Sequence, residues 1–557
     1  MFKVFSFYKF LSYREKKFFI FVFVGVFFGT FLEMLSFSSI IPVFQLVFSD
    51  TKINILFLSQ LETNTILVLF VILFSFKNLF LIFFNYFYIK FIYDFCTKFS
   101  NQLFLKTLKQ NYSYFKKNSA DYFLRKVSND VINMRIYIVS CVSLITEILF
   151  VICVSAILVY SSFAIFIFVI SFFIITISLY FYLINSRIKN WSELNHNENG
   201  RLHSIVSEGI KGIKDITIYN LQKFFFDIFS FYTQNIFSSQ FKLEFVNMAQ
   251  RYWMELLCVI IFITALLFIN FSELRVFDFF SIFVLYGVAI FRLIPSFNKI
   301  INNKNMYKFY YPGYKSVIEQ LNSTENFSAS VYERNLNFQK FLEIKNLSFK
   351  FEDAKNFLIN NLNFKIKKNS TILIKGANGS GKSTLLDIIS GLRNPSSGEV
   401  LIDGEYNLIN YKTSWMHKIA FVQQNVFIMK KSIVENITLE EGSRYDQKKF
   451  KNICNMLKLD SSFDNFQKLI NIKDAGLDGS NLSGGQKQLV SIARALYKDS
   501  EVLILDEPDS ALDKEKNKIL LKVLMQLKGK KTILMTSHNL SDCYNIFDNI
   551  LEIKNEK

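Results

Sequence analysis

Residues Thr371–Ser390 read TILIKGANGSGKSTLLDIIS, and this stretch decides the fold of the carboxyl half. Thr371–Ile374 is a short run of β-formers and reads as a buried strand. An apolar-periodic helix is expected over Ser383–Ser390. Between them lies the octamer Gly376-Ala377-Asn378-Gly379-Ser380-Gly381-Lys382-Ser383. Strand, glycine loop and helix in that order form the setting of a phosphate-binding loop. Gly376, Gly379 and Gly381 allow the backbone N–H groups around Asn378 and Ser380 to converge on phosphate oxygens. The helix start at Ser383 and Thr384 adds a positive dipole end. Lys382 is the residue to neutralise β- and γ-phosphate charge, and the Ser383 hydroxyl is the one to ligate Mg2+.

A second strand, Val502–Leu505, runs into Asp506-Glu507. Alone, this pair reads as an exposed acidic strand end. Beside a phosphate loop it has a sharper reading. The first acid holds Mg2+ directly or through water, and the second polarises an attacking water.

Between the two strands stands Leu482-Ser483-Gly484-Gly485-Gln486, followed by KQLVSIARAL. This run resembles the signature of ATP-binding-cassette ATPases, and the chain as a whole resembles an exporter-type half-transporter of that family. The resemblance implies that Ser483, Gly484, Gly485 and Gln486 close on the nucleotide of the opposite subunit, so a homodimer is expected. It further implies that Phe351 stacks on adenine and that Gln424 senses Mg2+ and the membrane domain. Ser510-Ala511-Leu512-Asp513 would communicate between the two sites, and His538 would contact the γ-phosphate. The implied catalytic set is Glu507, His538 and Lys382, with Ser383, Gln424 and Asp506 around the metal and ATP and Mg2+ as cofactors. Three departures stand out: Gln423 where proline is common, DEPDSALD for DEATSALD, and KDAGLDGSN before the signature. The last places the details of coupling outside the family pattern and leaves the chemistry intact.

Upstream of these motifs the composition changes. The chain has 557 residues, is 51% hydrophobic and contains 66 Phe, with a mean hydropathy of +0.25. A bias in base composition accounts for the phenylalanines without any ligand. Six runs are apolar enough to span a bilayer: about 18–47, 65–93, 136–160, 163–184, 253–271 and 277–294. The third and fourth form a tight hairpin. Lys3, Lys9, Arg14, Lys16 and Lys17 precede the first run, and residues 96–135 and 185–250 are rich in Lys and Arg. The expected outer loops carry only Lys52 and Arg275. The positive-inside rule therefore places both termini in the cytoplasm. No cleavable signal pattern is present. The two basic segments keep a helical apolar period and read as cytoplasmic extensions of the spans.

The fold class that follows is a multidomain membrane protein. It comprises a six-helix transmembrane bundle of the type I exporter kind (1–300), a linker (301–340) and an α/β P-loop ATPase domain (341–557). The net charge of +18 belongs to residues flanking the apolar runs and not to an aromatic-interleaved basic surface, so no nucleic-acid partner is expected. None of the six cysteines forms a CxxC pair, and metal-ligand spacing is absent.

Lys77, Arg251 and Arg292 lie in or beside spans, where an ionisable group usually faces a polar cavity. Together they would bind an anionic head group; Arg251 also reads as a residue snorkelling to the interface. Within the family, FLEMLSFSSIIPVF, GIKDI, FRLIPSFNKI and GSNLSGGQKQ resemble flippases of lipid-linked oligosaccharides in bacterial protein N-glycosylation. That resemblance implies a polyprenyl-diphosphate glycan moved across the bacterial inner membrane, an ATPase coupled to transmembrane movement, and lipid bilayer and lipid-linked saccharide as partners. The alternatives are an exporter of another lipid, a lipopolysaccharide precursor, a peptide or a drug, and a membrane-anchored regulator whose ATPase switches a partner.

Overall fold

The computed structural model describes residues 6–39, 63–161, 163–271, 280–322, 336–352, 354–442, 444–463, 465–537 and 544–553. Two compact units emerge. The first holds residues 1–109 and 117–324; the second holds 110–116 and 325–557.

The first unit is helical. Its long helices are Tyr13–Ser38, Thr63–Leu108, Asn129–Ser161, Phe163–Lys211, Gln222–Phe271 and Phe280–Phe309. Each contains one of the six apolar runs as far as the described residues reach. Among the described residues, three stretches, Tyr13–Ser36, Asn64–Leu108 and Ala120–Val159, are long and apolar enough to cross a membrane. Helices suit that setting because they satisfy their backbone groups internally. Along 64–108 large side chains face outward, among them Val71, Ile72, Leu79 and Ile82. Lipid is the solvent that makes such exposure favourable. The expected hairpin is tight: one helix ends at Ser161 and the next begins at Phe163.

Many phenylalanines and tyrosines are used as packing material. Phe7 meets Phe19 and Phe95 edge-on at 5.6 and 5.4 Å. Tyr137 is fully buried and stacks between Tyr314 and Tyr307 at 4.1 and 4.8 Å. Edge-on and offset arrangements follow from the ring quadrupole. Polar bonds also join the helices. The Asn305 amide, 1% exposed, donates to Asn247 Oδ1 at 2.8 Å and to the Tyr180 hydroxyl at 3.0 Å. Gln250 donates to the Asn298 carbonyl at 2.6 Å.

Two sequence expectations change here. Residues 301–340 were expected to be a linker, but Phe280–Phe309 continues past residue 300 and Tyr311–Asn322 is a further helix. Tyr314, Val317 and Ile318 of that helix are buried in the first unit's core, so the apolar face pulls a polar-looking segment into the bundle. The first basic excursion does not stay wholly with the membrane unit, because residues 110–116 belong to the second. Expectations for Lys52, Arg275 and residues 323–335 lie outside the described residues.

The second unit holds two sheets. An antiparallel sheet has the order β2-β1-β4-β5, formed by β1 (Phe341–Phe349), β2 (Ile359–Lys367), β4 (Ser397–Ile402) and β5 (Tyr406–Asn407). A parallel sheet has the order β6-β7-β8-β3-β9, formed by β3 (Thr371–Gly376), β6 (Ile419–Val422), β7 (Val502–Asp506), β8 (Thr532–Thr536) and β9 (Asn549–Ile553). Ile372, Leu373, Ile374, Ile504, Leu505 and Met535 are buried on both faces, as strands between helical layers must be. The register pairs Leu505 with Met535 and Asp506 with Thr536. The ends of β3, β6, β7 and β8 therefore line one edge, where open α/β sheets bind ligands.

Candidate nucleotide-binding and catalytic site

The loop after β3 feeds the helix Lys382–Ile389. Gly381 caps that helix at φ 97°, a left-handed conformation that costs an L-residue energy. A Cβ on Gly376 would lie 2.4 Å from Ser380 Oγ and 2.8 Å from the Ile553 carbonyl, so only glycine fits the close turn. Ser380 is fully buried, and its Oγ has no hydrogen-bond partner among the described residues. Lys382 is buried and donates to the Gly376 and Ala377 carbonyls at 2.9 and 3.1 Å. Asn378, Gly379 and Ser383 are exposed, and Thr384 is half-buried. A glycine cradle with an inward cation and hydroxyls at a helix start fits the phosphates of a nucleotide with its Mg2+.

At the next strand ends the carboxylates assemble. Asp506, the last residue of β7, is 6% exposed. Its Oδ1 accepts from the Thr536 hydroxyl at 2.7 Å. Glu507 sits at φ 47°; its N–H donates to the same Thr536 oxygen at 2.9 Å. Gln424, two residues beyond β6, donates to Glu507 Oε2 at 2.6 Å. Thus Asp506, Glu507 and Gln424 form one connected group at these strand ends, joined through Thr536. His538 lies outside the described residues, two positions beyond the end of β8. Ser537 donates to Asp509 Oδ2 at 2.6 Å, a second bond between the β7 and β8 ends.

Phe351 is 45% exposed. Its ring meets Phe349 edge-on at 5.2 Å, and the Arg393 guanidinium lies 5.5 Å from its centre. Arg393 is also 5.5 Å from the Tyr112 ring and bonds Asp387 at 3.0 Å. Burial pushes the Asp387 carboxyl up, and the Arg393 guanidinium opposes that shift only in part.

The signature segment opens the helix Gly484–Tyr497 with a capping box. Ser483 Oγ accepts the Gln486 N–H at 3.2 Å, and Gln486 Oε1 accepts the Ser483 N–H at 2.8 Å. A Cβ on Gly485 would lie 3.1 Å from the Ala511 carbonyl, so the glycine allows the loop after Glu507 to pack closely. Arg494, on the same helix, donates to the Asn436 carbonyl at 2.7 Å, to the Phe427 carbonyl at 2.9 Å and to Asn436 Oδ1 at 3.3 Å. Asn436 is fully buried and holds Met429 through both its N–H and its C=O. The signature helix is thereby tied to the segment that follows Gln424.

Sequence reasoning missed Thr536, Asn436, Arg494 and the Asp509–Ser537 pair. Arg494 carried a weak signal, a lone charge within the apolar run of SIARAL. Thr536 carried none, since a threonine in a strand is an ordinary β-former.

In the first unit, Lys77 is half-buried with its ammonium 4.6 Å from the Phe74 ring centre. Arg251 is exposed and paired with Glu255 at 2.9 Å. Arg292 lies within the helix Phe280–Phe309, and its side chain is outside the described residues. The Arg251–Glu255 pair lies within the helix Gln222–Phe271.

Comparison with known proteins agrees with this geometry. Residues 18–293 match the ABC transporter transmembrane region, and residues 359–510 match the ABC transporter family. The chain belongs to the ABC transporters. Among curated proteins, this ABC transporter is 34% identical over 206 residues to an ATP-dependent lipid A-core flippase of Vibrio vulnificus strain YJ016, covering 36% of this chain and 34% of that protein. It is 33% identical over 215 residues to the ATP-dependent lipid A-core flippase of Haemophilus influenzae strain Rd, covering 38% and 36%. An uncharacterised ABC transporter ATP-binding protein of the same strain is 31% identical over 232 residues, covering 40% and 39%. The transporter spans a little over a third of the length of the curated relatives it matches. The cassette match falls in the second structural unit, and the transmembrane match falls in the first apart from residues 110–116.

Proposed function

We propose that this ABC transporter is an ATPase that moves an amphipathic, phosphate-bearing lipid from the inner to the outer leaflet of a bacterial inner membrane. The observation that carries the reading is the assembly of the Gly376–Ser383 cradle with Asp506, Glu507 and Gln424 at one sheet edge. That assembly stands on a chain whose other unit is built of bilayer-length apolar helices. ATP with Mg2+ supplies a phosphoryl group whose transfer to water drives the cycle.

The protein's part is positioning and charge. Lys382 and the loop N–H groups hold phosphate oxygens. Ser383, Asp506 and Gln424 hold the metal, directly or through water. Glu507 accepts a hydrogen bond from water and orients it, His538 steadies the γ-phosphate, and Phe351 stacks on adenine. The element Ser483–Gln486 serves the nucleotide held by a second copy, so the working form is a homodimer with both termini in the cytoplasm. ATP biases the cycle because it binds the closed pair better than the open one.

The named activities of the Vibrio and Haemophilus relatives support a lipid-A-type cargo. The runs FLEMLSFSSIIPVF and FRLIPSFNKI support lipid-linked oligosaccharide as the second reading. Both cargoes carry phosphate that Lys77, Arg251 and Arg292 would meet.

The test is ATP hydrolysis in proteoliposomes with no cargo, with lipid A-core and with lipid-linked oligosaccharide, beside a Glu507→Gln control. Stimulation by one phosphorylated lipid, lost in a Lys77→Gln/Arg292→Gln variant, is the expected result and identifies the cargo. Hydrolysis that neither lipid changes overturns the cargo class, and hydrolysis that survives Glu507→Gln overturns the site assignment.

A further inference from the structure

The hydroxyl of Thr536 touches both carboxylate residues of the site at once. It is fully buried at the end of β8 and is register-paired with Asp506 on β7. It accepts the Glu507 N–H at 2.9 Å and lies 2.7 Å from Asp506 Oδ1. A hydroxyl has one proton and an amide can only donate. The Thr536 proton is therefore committed to Asp506, and its direction is fixed by the amide behind it.

Two consequences follow. Asp506 Oδ1 takes a short hydrogen bond that restrains rotation of the carboxylate, which fixes where its remaining lone pairs face a cation or its water. Glu507 is held at φ 47°, a conformation that non-glycine residues adopt only when their surroundings impose it. The bond from its N–H to Thr536 is part of that imposition. Gln424 then fixes the far end of the Glu507 side chain. One hydroxyl thus sets the metal-side carboxylate and the backbone of the water-side carboxylate.

We propose that Thr536 is a positioning residue that orients Asp506 toward the metal and holds Glu507 in its left-handed turn. The proposal rests on the nucleotide-site reading above and assigns this side chain a role in it. Valine keeps the shape of threonine and removes the hydroxyl, whereas serine keeps the hydroxyl.

The experiment uses the full-length protein in nanodiscs. Mn2+ binding is followed by electron paramagnetic resonance with adenylyl imidodiphosphate present, and nucleotide binding is measured without metal. Steady-state hydrolysis is measured alongside. A hydrogen bond to a charged group typically supports an effect of about tenfold or more. Thr536→Val is expected to weaken Mn2+ binding about tenfold and to lower kcat more than KM, with metal-free nucleotide affinity within about twofold of the parent. Thr536→Ser is expected to recover most of both losses. Unchanged Mn2+ binding in Thr536→Val, or a serine variant as weak as the valine one, overturns the proposal. A parent protein that binds Mn2+ with nucleotide yet does not hydrolyse ATP sinks the ATPase reading and leaves the Thr536 assignment to be decided by the Mn2+ data.

Discussion

Replacing Arg494 by methionine tests whether the signature helix is mechanically joined to the segment after Gln424. The guanidinium makes three bonds, two of them to the Asn436 carbonyl and side-chain oxygen at 2.7 and 3.3 Å. The third, to the Phe427 carbonyl, faces solvent and counts for little. Bonds that involve a charged group contribute about 1.5–3 kcal/mol each. Burial holds the Arg494 guanidinium below its ordinary pKa, which means part of that gain is offset by desolvation. The net loss is therefore about 2–3 kcal/mol. For a domain of this size that lowers the melting temperature by roughly 5–10 °C. Trp415 is fully buried in the ATPase unit, where its indole N–H donates to the Ile389 carbonyl at 2.8 Å. With Trp191 and Trp253 replaced by phenylalanine, its fluorescence reports the melting of that unit in the intact protein. Methionine preserves the aliphatic packing, so the shift reads the bonds and not the volume. Arg494→Lys keeps the charge without the fork and is expected to recover less than half. A methionine variant that melts within about 1 °C of the parent, or a lysine variant that melts with it, refutes the tie.

Gly381→Ala is expected to cut nucleotide affinity about tenfold. Alanine would have to hold the existing φ of 97° at a cost, with its Cβ 3.0 Å from Leu358 Cγ, and would shift the start of the Lys382–Ile389 helix. Fluorescent nucleotide titration checks this, and parental affinity counts against the cradle. Glu501 predicts a pH effect. Burial pushes its carboxyl up, but hydrogen bonds from Lys418 and Lys368 outweigh burial and hold it below its ordinary value of 4.5. A folded pKa below the unfolded one gives stability that is present above that value and lost as pH falls through the folded pKa. Glu501→Gln should therefore melt lower than the parent at neutral pH, and the gap should close below pH 4.5; a gap constant with pH argues that the pairing is inert.

What the sequence disclosed was whatever is written locally. The glycine cradle occupies eight consecutive residues, and its strand and helix flank it directly. The six apolar runs announce themselves by length, and Asp506-Glu507 gains meaning from the motif before it. Contacts set by strand register were hidden. Thr536 meets Asp506 because β7 and β8 pair residue 506 with 536, and nothing in either strand states that offset. The Ser483–Gln486 capping box was missed, although its spacing is local. Residues 301–322 looked polar by composition, while Tyr314, Val317 and Ile318 of the helix Tyr311–Asn322 are buried together and Tyr314 stacks on Tyr137. Composition averages over a helix and loses the stripe that decides its burial.

The division of the chain leaves a topological consequence. Because residues 110–116 are part of the ATPase unit, the polypeptide crosses between the two units three times, at 109/110, 116/117 and 324/325. A protein of two beads on a string needs one crossing. A fragment cut at the start of β1 would therefore lack a native piece, including the Tyr112 ring that faces Arg393. Reconstitution from separately made halves would have to restore that loop as an inserted peptide.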